Sequence, residues 1–487
     1  MDIKLSSKRS QSALEYMMTY GWAILIIVIV AVILYSMGIF NPSSSVTFTS
    51  SGFSPFTVSS SLCNNLGYKI AIIAGPIPNN ANYITINKVF VTSATGANTT
   101  TASYTLTNPV TLKSGQSATI LIPNVACNSA NTHYSLSAKI QYSYTASTLG
   151  LQTINTTGTV AGTSISGKPS VLTTYEPITI TNTQSSATPS PFQQMINFTS
   201  SDPGFSSIAT GNFGQNVEFF YYNGTVIPSW LENYTSTNAI WWLKIAAIPA
   251  GSSEIIYVGF ASTLTNLFNT VNDGEAPQLS STYAEYDDGA NVFNYYTNFA
   301  GTSLPAGWTE TISASGNSYS INNGLTLTAN FSYTMVLQYS NVFNPQTDIL
   351  DFYGYFENQG WGGVGYTPNG GYPMASTGSI AIGEDTPVPN AYLTRASGST
   401  EIQIDSLTIG TTPYLFSMWE STSEMFGQAN YQYTTPNSNG FVAETSLYPS
   451  IQLGQRSGTD YIFVQYLRVR AYPPNGVMPS VSFGSVQ

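Results

Sequence analysis

The chain has 487 residues, 42% hydrophobic and 13% aromatic, which is ample for packed cores and excludes a disordered polymer. Charged residues make up only 8%, against an average of about 25%, and 13 Lys and Arg face 24 Asp and Glu for a net charge of −11. Lys244 is the single basic residue between Pro169 and Thr394, so that region has no cationic surface for phosphates, and nucleic acid is excluded as a partner.

The N-terminus carries Lys4, Lys8 and Arg9, then Ser10, Gln11 and Glu15, ahead of an apolar run from Gly21 to Phe40. That run is about long enough to cross the hydrocarbon core of a bilayer, and the basic leader places residues 41–487 outside the cytoplasm. The order of a basic pair, a small residue, Gln, and Glu before an apolar run resembles the class III signal peptide of archaeal type IV pilin-like proteins. The resemblance implies a leader over 1–10 and a pilin-type transmembrane helix over 11–40. A membrane-embedded leader peptidase would cut between Ser10 and Gln11, with Arg9, Ser10 and Gln11 as the processing positions. A carboxylate just inside an apolar helix is costly unless paired, and in a filament the α-amine of a neighbouring subunit's Gln11 pairs with Glu15. The membrane, the leader peptidase and other pilin-like subunits are therefore the expected partners. The expected location is the cell membrane, single-pass, with the C-terminal bulk extracellular or in a surface filament. An ordinary secretory signal cut near Ser36-Met37-Gly38 and an uncleaved anchor are the competing readings.

After Phe40 the period changes from helical to alternating. Leu136, Ala138, Ile140, Tyr142 and Tyr144 fall on one face, with Ser137, Lys139, Gln141 and Ser143 on the other, the pattern of a half-buried strand. Val217-Phe219-Tyr221, Leu325-Leu327 and Leu467-Val469 repeat it, so the fold is mainly β: the helix is followed by about three β-sandwich domains. The first, 41–166, holds both cysteines, and Cys63 and Cys127 as one disulfide close a loop of about 65 residues, worth about 4 kcal/mol; two free buried thiols are the alternative. Behind a pilin-type helix this segment looks like the small β-sandwich of archaeal pilin-like proteins.

The second domain, 167–285, contains Ser229-Trp230-Leu231-Glu232 and Trp241-Trp242-Leu243-Lys244-Ile245, leading into Ile255-Ile256-Tyr257-Val258-Gly259-Phe260. It resembles a β-sandwich domain of unknown function that recurs in archaeal and bacterial surface proteins. The third, 286–487, opens with Asn298-Phe299-Ala300-Gly301 before Trp308 and closes with Tyr466-Leu467-Arg468-Val469-Arg470. Those features look like the concanavalin A-like lectin/glucanase fold, which implies a two-sheet jelly roll with one concave face. Jelly rolls of that kind leave room for structural calcium, with Asp287-Asp288 or Asp348 as ligands; no other cofactor or metal is expected.

Glycosidases of this fold need two carboxyl groups about 5–5.5 Å or about 6.5–9.5 Å apart. Glu401 and Asp405 share a strand face but stand roughly 13 Å apart, while Asp348 with Asp351 and Glu384 with Asp385 diverge, so no catalytic residues are assigned. Binding is a stronger reading than catalysis, and the alternative to both is that the aromatics of this region pack the sandwich while its glycines only make turns. The run from Gln359 to Tyr372 is loop-like and rich in Gly, and exposed rings stack on the apolar faces of sugars. Trp361, Tyr366 and Tyr372, joined by Tyr353, Tyr355 and Trp419, are the carbohydrate-binding candidates, and glycans the expected ligands. The whole reads as a pilin-like surface protein for adhesion or glycan recognition, with a cell-surface glycoside hydrolase and a purely structural surface protein as alternatives. Mass spectrometry of the mature chain should find Gln11 at the N-terminus; a start at Ile39, or an intact leader, removes the pilin route.

Overall fold

The computed structural model describes Val28 and residues 48–487, apart from 79–80, 100–101, 124, 128, 313–314, 331–332, 358–360, 385–389, 395–401, 409, 439–442 and 455–458. Arg9, Ser10, Gln11 and Glu15 lie outside the described residues, as do Asp385 and Glu401. Among the described residues no helix is long and apolar enough to cross a membrane. The chain divides into two compact units, 1–169 and 170–487.

The first unit is an antiparallel sandwich. One sheet holds, in spatial order, Phe48–Gly52, Gly150–Thr163, His133–Ala146, Ile84–Thr95 and Ala102–Leu112; the other holds Phe56–Asn64, Gly67–Ala74 and Ser117–Ile122. The predicted alternation is obeyed residue by residue: Leu136, Ala138, Ile140, Tyr142 and Tyr144 are buried, and the intervening Ser137, Lys139, Gln141 and Ser143 are half-exposed. Cys63 and Cys127 are both buried and form the disulfide, with Cα atoms 5.6 Å apart. Phe53 adopts φ 66°, and its ring lies on Gly158, where a Cβ would come within 2.3 Å of it. The glycine is what lets that ring reach the core.

The second unit joins two sandwiches. In the first of these, Val217–Phe220, Ser252–Phe260, Thr174–Asn182 and Ser480–Phe483 form one sheet. Phe192–Thr199, Asn238–Ile245, Ser229–Tyr234 and Asp273–Glu275 form the other. The C-terminal strand thus returns to the middle of the chain. Its Phe483 stacks on Phe198 with ring centroids 4.6 Å apart.

The second sandwich alternates its strands between two larger antiparallel sheets, the jelly-roll arrangement. The larger includes Leu325–Ala329, Asp460–Ala471, Asp348–Glu357, Tyr414–Glu420, Met425–Ala429 and Gln432–Asn437. The other includes Trp308–Ile312, Thr334–Tyr339, Tyr448–Gly454, Trp361–Thr367 and Ile380–Glu384. Leu325, Leu327, Leu350, Phe352, Val364, Ile451, Val464 and Leu467 fill the space between them. A register shift opposite Tyr353/Gly354 changes the parity of the closing strand. Ile462 and Val464 point inward before it, and Leu467 and Val469 after it, so Tyr466, Arg468 and Arg470 all face out.

Glu176, on a strand of the middle sandwich, is fully buried, its Oε2 accepting from the Gly204 amide at 3.0 Å and its Oε1 without a partner. Burial, reinforced by the nearby Asp202, pushes its pKa up to about 7 from an ordinary 4.5, against the opposing pull of the Gly204 amide. The folded state then holds a proton that the unfolded chain has released. The contribution of this group to stability is full in acid and is lost as pH rises from about 4.5 to about 7, by up to about 3 kcal/mol. Glu176→Gln should flatten this slope in denaturant titrations run between about pH 4 and pH 8.

Candidate functional site

Alternation along the middle sandwich's outer sheet decides where its tryptophans go. Trp241 points into that sandwich's core, whereas Trp242, and Trp230 opposite it in register, point out. This outward face is not solvated. It packs on the outer face of the jelly roll's larger sheet, with Trp230, Trp242, Phe293, Leu415 and Tyr466 buried between.

Arg468 lies at the centre of this seam with no exposed surface. Its Nε meets Asp351 Oδ2 at 2.8 Å and its Nη2 meets Glu232 Oε2 at 2.6 Å and the Tyr431 hydroxyl at 2.6 Å. The guanidinium carbon stands 4.6 Å from the Phe293 ring, 4.8 Å from Trp242 and 5.3 Å from Trp230, a desolvated cation-π cluster. Glu232 Oε2 also accepts from Trp242 Nε1 at 2.8 Å and from Tyr431 at 2.6 Å. Arg470 shares Asp351, its Nε 2.8 Å from the same Oδ2. Burial works against charge at Asp351, yet Arg470 and Arg468 outweigh it and hold the carboxyl below its usual range.

Two clefts flank the network. The larger, ≈ 360 Å³, is walled by Tyr353, Tyr431, Tyr466, Leu279 and Leu415 and carries Glu232, Asn233, Gln278 and Asn430. Tyr353 stacks on Tyr466 with centroids 5.4 Å apart and planes 17° from parallel. Gln278 Oε1 is buried without a hydrogen-bond partner. The smaller cleft, ≈ 230 Å³, is lined by Trp242, Trp419, Tyr472, Met195, Met478 and Arg470, with Tyr431 common to both.

The predicted sugar-binding residues therefore part company. Tyr353 lines the larger cleft and Trp419 the smaller. Tyr355 packs on Phe463 at 5.1 Å, and Trp361 stacks with Tyr372 at 6.3 Å on the other sheet. Tyr366 is fully buried in the jelly-roll core, its hydroxyl 3.4 Å from the Asp348 carbonyl, and offers no surface to a ligand. The run expected to be a loop is a strand over Trp361–Thr367. Its glycines admit the protein's own chain: a Cβ on Gly363 would lie 2.4 Å from Met374 Sδ, and Met374 is tied through its amide to Gln452 Oε1 at 2.8 Å. Met374 lies over Gly363 and Gly383 in this way, so the room those glycines leave is taken by the protein's own chain.

Of the carboxyls expected to suit calcium, Asp287 and Asp348 are engaged within the protein, whereas both oxygens of Asp288 are buried without a hydrogen-bond partner among the described residues. Asp287 accepts from Trp230 Nε1, the Gly289 amide, the Tyr296 hydroxyl and Asn298 Nδ2, at 2.6–3.1 Å, which pins the Trp230 ring under Arg468. Asp348 Oδ2 accepts from the Asn344 amide and the Thr347 hydroxyl, both at 3.2 Å. Asp288 is buried against Gly274, and burial with the neighbouring Asp287 and Asp273 pushes its pKa up to about 9. Among the described residues no three His, Cys, Asp or Glu side chains gather as a metal site would need.

Glu232 is the only carboxyl lining the larger cleft among the described residues, and its Oε2 already takes three donors. Asp351 is sealed behind two arginines. The arrangement can hold a ligand by stacking and hydrogen bonds. Sequence reasoning had passed over Arg468, Arg470, Glu232 and Tyr431. The signals were Arg-Val-Arg on one strand face of a chain poor in cations, and Asn430-Tyr431 between two alternating segments. Both residues of that turn have positive φ, 47° and 61°, as a tight hairpin turn requires.

The fold and site define a two-sandwich unit with a ligand-sized seam. No family model matches the sequence. An uncharacterized protein, 562, of Sulfolobus islandicus rod-shaped virus 1 is 27% identical over 335 residues, 62% of this chain. The chain spans 58% of that relative's length. Among solved structures, the catalytic domain of an endo-1,3-beta-glucanase (laminarinase) from Thermotoga petrophila aligns with 36% of this chain and 96% of its own, at 11% identity and a TM-score of 0.28. A beta-glucanase of Bacillus licheniformis aligns with 36% and 97%, at 12% identity and a TM-score of 0.28. These likenesses are too distant to speak to the chemistry of the seam.

Removing Arg468 alone leaves Glu232 as a buried charge without its cation. Arg468→Met should cost about 3–5 kcal/mol, measured by chemical denaturation of the 170–487 unit. Arg468→Met with Glu232→Gln restores neutrality, because Arg470 still balances Asp351, and should recover at least half of the loss.

Proposed function

We propose that the protein is an extracellular surface protein, membrane-anchored or filament-associated, that recognises glycans through the larger seam cleft. The observation that carries the ligand reading is the composition of that cleft. A half-exposed Tyr353 ring offers an apolar face beside the acceptor-bearing side chains of Asn233, Gln278, Asn430 and Glu232. Sugars present both complements, C–H faces for the ring and hydroxyl donors for the acceptors. The surface reading is supported by the order of residues from Lys8 to Glu15 ahead of the apolar run, and by a composition in which neutral polar side chains replace charges.

The test is a glycan array followed by calorimetry on the full chain with the oligosaccharides it retains. Tyr353→Ala and Gln278→Ala should each weaken binding by about tenfold, while Tyr319→Ala, on another strand of the same sheet, serves as the control. A folded chain that retains no glycan sinks the proposal, as does binding that neither substitution weakens.

A further inference from the structure

The seam is electrically polarised. Glu232 lines the larger cleft, and Arg470 is, among the described residues, the one charged residue lining the smaller. Both hydrogen bonds of Arg470 go to Asp351, through Nε at 2.8 Å and Nη2 at 3.4 Å, and neither uses Nη1. Asp351 is a shared counter-ion, since Arg468 occupies the same Oδ2. Arg470 is therefore the cationic end of the network, at the smaller cleft, and Glu232 its anionic end, at the larger. A guanidinium with an unused amine at an apolar wall is matched by a carboxylate, the planar anion its geometry suits.

The other walls describe the body that would carry this carboxylate. Trp419 is half-exposed, backed by Phe426 at 5.3 Å and flanked by Tyr472 at 6.3 Å. Gly476, at φ 73°, lets Tyr472 close the far side: a Cβ there would lie 2.6 Å from the Tyr472 hydroxyl. Aromatic walls and one cation fit a compact ring bearing a single anionic group. Tyr431, tied to Glu232 and Arg468, forms the wall that the two clefts share.

We propose that the smaller cleft binds a carboxylate-bearing sugar, a uronic-acid residue of an acidic glycan. The inference rests on the glycan reading of the larger cleft and deepens it to a ligand class. With a net charge of −11 on the chain, non-specific attraction disfavours anions, so any preference for the acid must come from the site itself.

Paired disaccharides that differ only in carboxylation provide the test: cellobiose against cellobiouronic acid, and galactobiose against digalacturonic acid, titrated into the full chain. At least one acid should bind about tenfold tighter than its neutral partner. Trp419→Ala and Arg470→Lys, which keeps a cation beside Asp351, should bring that ratio towards one. Gly476→Ala should lower it as well, by displacing Tyr472. Neutral glycans bound as tightly as their acids overturn this inference alone, as does an acid preference that survives Trp419→Ala. No binding across the array and both pairs overturns the glycan reading with it.

Discussion

A guanidinium removed from water is among the most costly groups a protein can bury, and it persists only where charge and hydrogen bonds surround it. Arg468 meets that condition through two carboxylates, a phenol and several aromatic rings drawn from both sandwiches of the second unit. Much of the neighbouring architecture follows. Trp242 must donate to Glu232, Trp230 must be held by Asp287, and the closing strand must turn its arginines outward. The return of the C-terminal strand to the middle sandwich holds the same pair of sandwiches together from the far side of the chain.

That constraint also decides where a ligand can sit. The outer face of the jelly roll's larger sheet is covered by the middle sandwich, and in its partner sheet the room left by Gly363 and Gly383 is taken by Met374. The space left beside the larger sheet lies at the flanks of the ion network, where the two clefts open. Tyr431 stands between them on a left-handed turn that a bulky side chain rarely adopts. Its hydroxyl, bonded to both Glu232 and Arg468, offsets the cost of that backbone. A strained residue held by the network and shared by both clefts couples the integrity of the seam to the shape of the site.

The strands were legible because a buried sheet face imposes a period of two. Leu136 to Tyr144 and Leu325-Leu327 reported their burial directly, and an isolated pair of cysteines led to the Cys63–Cys127 bridge. The site was legible in fragments. Tyr353 and Trp419 were recognised as aromatics near a binding surface and do line the two clefts. Tyr366 and Trp361 belonged to a glycine-rich run whose glycines were read as leaving room for a ligand, although Met374 occupies that room. No local pattern distinguishes a glycine vacated for a sugar from one vacated for a methionine eleven residues away in sequence.

By itself the sequence determined a mainly β chain, the sides of most strands that face a core, and a charge balance that leaves no cationic surface for nucleic-acid phosphates between Pro169 and Thr394. It also placed Arg468 and Arg470 on one face of the closing strand, since alternation with Leu467 and Val469 allows nothing else. Alternation alone would expose that face to water. Only the tertiary structure decided that it is buried, because the partners that make burial tolerable come from sequence positions as distant as Glu232, Asp351 and Tyr431. Their convergence depends on how two sandwiches pack, a relation that no single stretch of the chain encodes.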